Sequence, residues 1–73
     1  MGKGTQKLSN NLRELRQKSG AITQQELADL VGVTRQTVIA IEGNKYSPSL
    51  EVAFMIAQAL GARIDDVFHY GAV

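Results

Sequence analysis

The segment ITQQEL in the first half of the chain carries an unusually complete helix start. Thr23 can cap a helix, and Glu26, three residues later, can close the capping box. Ile22 and Leu27 lie on either side of this start, where they can form a hydrophobic staple. Gly32 then favours a left-handed stop. These signals predict a helix of only about two turns, which limits the folds open to the chain.

A second helix start follows almost at once. Only Val33 separates Gly32 from Thr34, which can cap the next helix, and Val33 and Val38 can form another staple. Two short helices joined by a brief turn that begins with glycine have the spacing of a helix-turn-helix. An ordinary helical hairpin is the alternative.

Helical signals cover most of the remaining chain. Leu8, Leu12 and Leu15 recur at helical spacing, and Ser49 can cap a further helix. The additional helices predicted in this way span residues 8–18, 50–60 and 64–68. Since no segment alternates with period two, we expect an all-α fold, a compact bundle of about five helices. The predicted organisation is a flexible tail over residues 1–7, the helical domain over 8–69 and a C-terminal tail over 70–73.

Composition narrows the class of protein. The chain has 73 residues, enough for one small domain, and no cysteine for a disulfide or a zinc–thiolate site. No apolar run approaches the length of a membrane span, so we expect a cytoplasmic protein without membrane contact. Residues 1–18 carry five basic side chains against one acidic, although the net charge is only +1. A basic front favours a polyanionic partner, and a chance asymmetry of the solvated surface is the alternative.

The predicted third helix changes character along its length. Val38 and Ile41 share one side, which should face the core. The residues on another side, near the start of the helix, are Arg35, Gln36, Ile39 and Ala40. Arg and Gln can read guanine and adenine by paired hydrogen bonds in the major groove, and Ala and Ile can contact the thymine methyl group. We therefore expect these four residues to read DNA bases. For Ile39, a slightly misplaced core residue is the alternative.

The stretch TQQELADLVGVTRQTVIAIEGNKYSPSLEVAFMIAQALG resembles the phage repressor and Cro family of regulators, the XRE family, over residues 11–68. The resemblance implies a lambda-repressor-like DNA-binding domain with the third helix as the recognition helix. It also implies that Gln24 binds a phosphate and braces this helix. The residues that it places near the DNA backbone are Thr23, Gln24, Thr34, Thr37, Asn44 and Lys45. Many relatives have Asn-Gly-Lys where this chain has Gly43-Asn44-Lys45, and asparagine can adopt the left-handed turn.

The resemblance further pairs Arg16, late in the first helix, with Glu42, late in the third. We interpret this ion pair as structural, because it would fix the third helix against the first. A buried pair need not add net stability, but the loss of one partner leaves a buried charge. A plain surface pair is the alternative.

These patterns favour a sequence-specific regulator that binds double-stranded DNA, a repressor in the first instance. One short helix reads few bases, so we expect a homodimer on a near-palindromic operator. The apolar C-terminal residues Val67, Phe68 and Tyr70 are the predicted dimer interface. The alternative is that Val67 and Phe68 complete the small core. An antitoxin-like module whose main partner is another protein is the alternative function.

The sequence contains little that indicates an enzymatic activity. His69, the only histidine, lies near the end of the chain without a cysteine or a supporting carboxylate, so it forms no nucleophilic constellation. Asp65 and Asp66 are better explained as favourable charges at the start of a short helix. We therefore expect no catalysis, no cofactor and no metal site.

Overall fold

The computed structural model describes residues 6–72 and contains five helices and two short strands there. The elements, in chain order, are β1 (Gln6–Asn10), α1 (Leu12–Lys18), α2 (Gln24–Val31), α3 (Arg35–Glu42), α4 (Leu50–Ala59), α5 (Ile64–Val67) and β2 (Phe68–Ala72). The helix-turn-helix predicted from the two neighbouring starts is formed by α2 and α3. The helical bundle is confirmed, and the description as all-α is approximate because of the strands.

Side-chain caps define the starts of the three central helices. Thr23 Oγ1 accepts the Glu26 N–H at 3.0 Å, and the Glu26 carboxylate accepts the Thr23 N–H at 2.9 Å, which completes the capping box. Thr34 and Ser49 cap α3 and α4 in the same way. Gly32 ends α2 with a φ of 76°, a left-handed conformation that favours glycine. The short turn and the two caps therefore set the positions of α2 and α3 locally.

The apolar faces of the helices enclose one core. Val38 and Ile41 of α3 are fully buried in it, as are Leu12 of α1 and Ile56 of α4. The other core residues are Leu27, Ala28, Val31, Ala57, Leu60 and Val67. Since α3 contributes two fully buried side chains, its middle is fixed and only one side of it remains open to solvent.

The two strands show that the structure predicted for both ends of the chain was wrong. β1 and β2 pair antiparallel, with Leu8 opposite Tyr70. The first helix was predicted from Leu8, but it begins at Leu12, because the Asn10 side chain accepts the Leu12 N–H at 3.0 Å after the strand has ended. Residues 6–7 and 70–72, assigned to tails, belong to the sheet. The rest of the two predicted tails, residues 1–5 and 73, lies outside the described residues.

The predicted dimer interface also needs correction. Val67 is completely buried, because it closes the core from α5, so it cannot contact a second chain. Phe68 is half-buried and packs against the core. Tyr70 is 72% exposed. Of the three residues, only Tyr70 has most of its surface available to a partner.

Within residues 6–72, no helix has both the length and the apolar character that crossing a bilayer requires.

Candidate nucleic-acid interface

The N-terminal end of α3 projects polar side chains into solvent. Arg35 and Gln36 are exposed, and Ile39, one turn further on, is 41% exposed. The structure therefore places these three of the four predicted base-reading residues on an accessible surface. Ala40 is half-buried, so it is the least accessible of the four.

The cap of α3 lies on the same surface. Thr34 Oγ1 accepts the Thr37 N–H at 3.1 Å and lies 2.9 Å from Thr37 Oγ1, so the two hydroxyls share a hydrogen bond. The first amides of any helix lack partners within the helix and carry a partial positive charge. This end of α3 therefore combines free amides with two hydroxyls, a combination suited to a phosphate group.

An open cleft of about 380 Å³ lies beside the start of α3, between α1 and α2. Its lining residues are Arg13, Arg16, Gln17, Thr23, Gln24, Gln25, Arg35 and Glu42. Three arginines stand against one glutamate there, and that glutamate is paired with Arg16. The cleft is therefore positively charged at its mouth, next to the predicted base-reading side chains.

Three lining residues, Arg13, Gln17 and Gln25, were not among the predicted contacts. Arg13 lies in the basic segment of residues 1–18, and this excess of positive charge was the one sequence signal that indicated its role. Among residues 6–72, neither Arg13 nor Arg35 forms an ion pair with a carboxylate. Their charges are consequently available to an anionic ligand.

The predicted ion pair between Arg16 and Glu42 is present at the base of this cleft. Arg16 Nε lies 2.6 Å from Glu42 Oε2, and both side chains are about nine-tenths buried, with 10% and 9% exposed. Arg16 also donates from Nη1 to the Ile22 carbonyl at 2.8 Å. Gln24 Nε2 donates to Glu42 Oε1 at 3.0 Å. One carboxylate at the end of α3 thus holds both α1 and α2, and Gln24 has the predicted bracing contact with the helix.

The loop after α3 forms the left-handed turn that was expected for the order Gly43-Asn44-Lys45. Asn44 has a φ of 59°, so asparagine rather than Gly43 takes the left-handed position. Its Oδ1 accepts from Asn10 Nδ2 at 3.1 Å, which ties the loop to β1. Lys45 follows and is exposed. The predicted backbone contacts of Asn44 and Lys45 remain predictions, since the structure contains no DNA.

Comparison with known proteins places this geometry in a family. The family model described as helix-turn-helix matches residues 12–67. A regulator of Methanothermobacter thermautotrophicus, named as an uncharacterised HTH-type transcriptional regulator, is 57% identical over 58 residues, which are 78% of this chain and 83% of that protein. A protein of the same description from Methanocaldococcus jannaschii is 55% identical over 49 residues, covering 67% and 74% of the two chains. The uncharacterised HTH-type transcriptional regulator YgzD of Bacillus subtilis is 46% identical over 61 residues, which are 84% of this chain and 91% of that protein.

A solved structure shares the fold. The crystal structure of the transcriptional regulator VanUg superposes with a TM-score of 0.72 over 100% of this chain and 96% of that one, at 20% sequence identity. The match to the family model and the identity with these relatives show that the chain belongs to the helix-turn-helix family, of the Cro/C1 type that the resemblance indicated. This is a family of DNA-binding regulators.

Proposed function

We propose that this protein is a sequence-specific transcriptional regulator that binds double-stranded DNA and inserts the N-terminal end of α3 into the major groove. The observation that carries the proposal is the division of α3 between core and solvent. Val38 and Ile41 are fully buried, whereas Arg35 and Gln36 are exposed at the end that projects from the protein. A helix fits the major groove, and the first residues of a recognition helix contact the base edges.

The residues around α3 support a division of roles. Arg35 and Gln36 have the donor and acceptor groups for paired hydrogen bonds to guanine and adenine. Ile39 is exposed enough to contact a thymine methyl group, and Ala40 contributes at most a marginal contact. In this proposal, the start of α3 and the cleft arginine Arg13 bind the phosphates on either side of the groove.

The backbone contacts of the proposal lie on two sides of the recognition helix. Thr23 and Gln24 at the start of α2 face one strand of the duplex, and Thr34 and Thr37 at the start of α3 face the groove edge. Asn44 and Lys45, in the following loop, face the other strand. Such contacts fix the orientation of a protein on DNA without reading its sequence.

A regulator of this kind represses when its operator overlaps the site that polymerase needs. We propose repression by occupancy as the mode of action and a near-palindromic operator bound by a homodimer. Two copies of one short helix double the number of bases read, and dimeric helix-turn-helix proteins bind half-sites about one helical turn apart.

The experiment that tests the proposal is selection of bound duplexes from a random DNA pool, with the unchanged chain and Arg35→Ala in parallel. We expect the unchanged chain to enrich a consensus and the variant to lose preference at one defined position in each half-site. Loss of a bidentate contact removes about 1–3 kcal/mol of discrimination. Arg63→Ala is the matched control, because Arg63 is an exposed arginine that precedes α5, outside α2 and α3, and is paired with Asp65.

Three outcomes are informative. A consensus that Arg35→Ala alters and Arg63→Ala does not would support base reading by α3. A consensus unchanged in both variants would contradict the role given to Arg35. The absence of any enrichment, with only salt-sensitive binding, would contradict sequence-specific recognition and favour an antitoxin-like module that binds another protein.

A further inference from the structure

The side chain of Asn10, the last residue of β1, joins three parts of the molecule. Its Oδ1 accepts the Leu12 N–H at the start of α1, at 3.0 Å. Its Nδ2 donates to the Ile41 carbonyl at 2.9 Å and to Asn44 Oδ1 at 3.1 Å. The Leu12 amide can only donate and the Ile41 carbonyl can only accept, so one orientation of the side-chain amide satisfies all three bonds. We call this side chain with its three bonds the Asn10 bridge.

The turn that ends α3 depends on a residue in the left-handed conformation. The Asn44 N–H donates to the Ile41 carbonyl at 3.0 Å, and the Lys45 N–H donates to the Ala40 carbonyl at 2.8 Å. These two bonds form a Schellman motif, with Asn44 at the left-handed position and a φ of 59°. Asparagine adopts this conformation less readily than glycine. The Asn10 bridge therefore supports the turn at two points, the Ile41 carbonyl and the Asn44 side chain.

The sheet also packs against the loop after α3. A cavity of about 20 Å³, no larger than about one water molecule, lies between them. Leu8 and Phe68 line it from the sheet, and Tyr46 and Pro48 line it from the loop. Phe68 of β2 also stands opposite Asn10 in the antiparallel register. The support for the end of α3 therefore extends from the C-terminal strand through β1 to the turn.

We propose that Asn10 is a positioning residue for the DNA backbone contacts beside the C-terminal end of α3. The Asn10 bridge orients Asn44 and fixes the direction in which the chain leaves the helix at Lys45, which is exposed. Both donors of the Asn10 amide are used within the protein, so this residue acts through its neighbours rather than on DNA. The inference rests on the proposed function, in which Asn44 and Lys45 contact the DNA backbone.

The proposed role is one of preorganisation. Without the Asn10 bridge, Lys45 is still present, but its backbone is less constrained, so binding then includes the cost of ordering the turn. Phosphate contacts carry no sequence information, so this cost lowers the affinity for every duplex alike. The base preference, which the proposed function assigns to the N-terminal end of α3, should stay unchanged.

Asn10→Ser tests the Asn10 bridge, and Asn11→Ser is the matched control. The serine hydroxyl lies one bond closer to the backbone, so it can still accept the Leu12 N–H but cannot reach the Ile41 carbonyl. Asn11 is the neighbouring asparagine, and its Nδ2 donates to the Asp66 carbonyl of α5 at 3.1 Å. Neither substitution changes the net charge, so a difference between the two variants in DNA binding cannot come from long-range electrostatics.

Native-state hydrogen exchange measures the turn in the absence of DNA. In Asn10→Ser, the Lys45 amide should exchange about tenfold faster relative to the amides of α2, because the turn opens more often. The α2 amides are the internal reference, since a global loss of stability would change them as well. In Asn11→Ser the relative rate should stay as it is in the unchanged chain. Equal relative rates in both variants would overturn the support of the turn by Asn10.

Fluorescence anisotropy with a selected and a scrambled duplex measures the consequence for DNA binding, at a temperature where circular dichroism shows both variants to be folded. Asn10→Ser should lower both affinities by about threefold to tenfold, up to the contribution of one phosphate contact at about 0.1 M salt. Asn11→Ser should stay within about twofold of the unchanged chain. The same loss in both variants, or a changed ratio between the two duplexes for Asn10→Ser, would contradict the positioning role.

Asn44→Gly provides a second test, because glycine adopts the left-handed conformation without strain. This substitution also removes one acceptor of the Asn10 bridge and the proposed backbone contact of Asn44, so the affinity falls. In this background, Asn10→Ser should cause a further loss of only about twofold or less, because the turn no longer depends on the bridge. A further loss as large as in the chain with Asn44 would show that Asn10 acts elsewhere, and would overturn the proposal.

These experiments separate the inference from the proposed function. A chain that binds duplexes without selecting a sequence would overturn the proposed function, yet the positioning role would stand if Asn10→Ser still weakened that binding. A chain that selects a consensus, but keeps its full affinity in Asn10→Ser, would overturn the positioning role alone.

Discussion

The two ends of α3 are built differently. At the N-terminal end, Thr34 supplies a cap and the side chains that follow are exposed. At the C-terminal end, three parts of the molecule are bonded to the helix. Glu42 binds Arg16 and Gln24, and the Ile41 carbonyl accepts from Asn10. The C-terminal end of α3 is therefore fixed by contacts within the protein, whereas the side chains at its N-terminal end are accessible to a ligand.

The difference shows how a small domain can present an exposed helix end without losing its orientation. Side chains that read bases must be accessible, so they cannot contribute to the core. The polar contacts that fix the helix are placed at the opposite end, where α1, α2 and β1 all reach it. In the proposed function, base reading and positioning are thus separated along the eight residues of α3. This separation predicts that substitutions at the two ends have different effects.

The largest effect is expected at the held end. Glu42→Ala leaves Arg16 buried without its partner, and the loss of one member of a buried ion pair costs about 3–5 kcal/mol. We expect urea denaturation to show a fall of this size in the free energy of unfolding. Glu14→Ala is the control: its pair with Lys18 is well exposed, so the change should stay within about 1 kcal/mol. Similar losses for both variants would contradict the distinction between the two pairs.

A smaller effect is expected at the cap of the open end. Thr34→Ala should lower the free energy of unfolding by about 1 kcal/mol, because the helix loses its side-chain cap. Ser49→Ala removes the equivalent cap from α4, and a similar loss is expected. Fluorescence anisotropy with a selected duplex should then distinguish the two, since only Thr34→Ala removes a predicted DNA contact. Equal DNA affinities for the two variants would argue against a role of Thr34 in binding.

The smallest effect is expected in the loop beyond the held end. Lys45→Ala should weaken binding to all duplexes alike and reduce the slope of log affinity against log salt by about 1, because one phosphate contact is lost. Titrations of a selected and a scrambled duplex at several salt concentrations measure both the affinities and this slope. If the variant instead changed the preference between the two duplexes, Lys45 would be reading sequence, and the assignment of roles would be wrong.

The sequence predicts the helices well where the signals are local. Thr23, Thr34 and Ser49 each form the predicted cap, because a cap depends on residues only three positions apart. The strands were missed because their partners lie at opposite ends of the chain. The alternation of Phe68, His69 and Tyr70 in β2 is too short to predict a strand by itself. Leu8 has helical spacing to Leu12 and Leu15, so periodicity alone extended the first helix too far. Pairing with β2 decides the conformation of Leu8 instead.

Only part of the candidate site was predicted, because again only local signals can be read from the sequence. Arg35 and Gln36 could be identified from one helix, and the pair of Arg16 with Glu42 from the family resemblance. Arg13 and the cleft that it lines depend on how α1 packs beside α2 and α3, which no local pattern encodes. The bonds of Asn10 to the end of α3 were also missed, because they depend on the sheet. Tertiary packing therefore accounts for what the sequence did not predict.

The sheet that joins the two ends of the chain has a consequence for the order of folding. The helix-turn-helix can form from neighbouring residues, whereas pairing Gln6 with Ala72 must close a loop of nearly the whole chain. Long-range pairing of this kind is slow and open to local unfolding. We therefore expect the strand amides to exchange with solvent faster than those of α3 and α4. A newly made chain would therefore form its helix-turn-helix before its first and last strands pair.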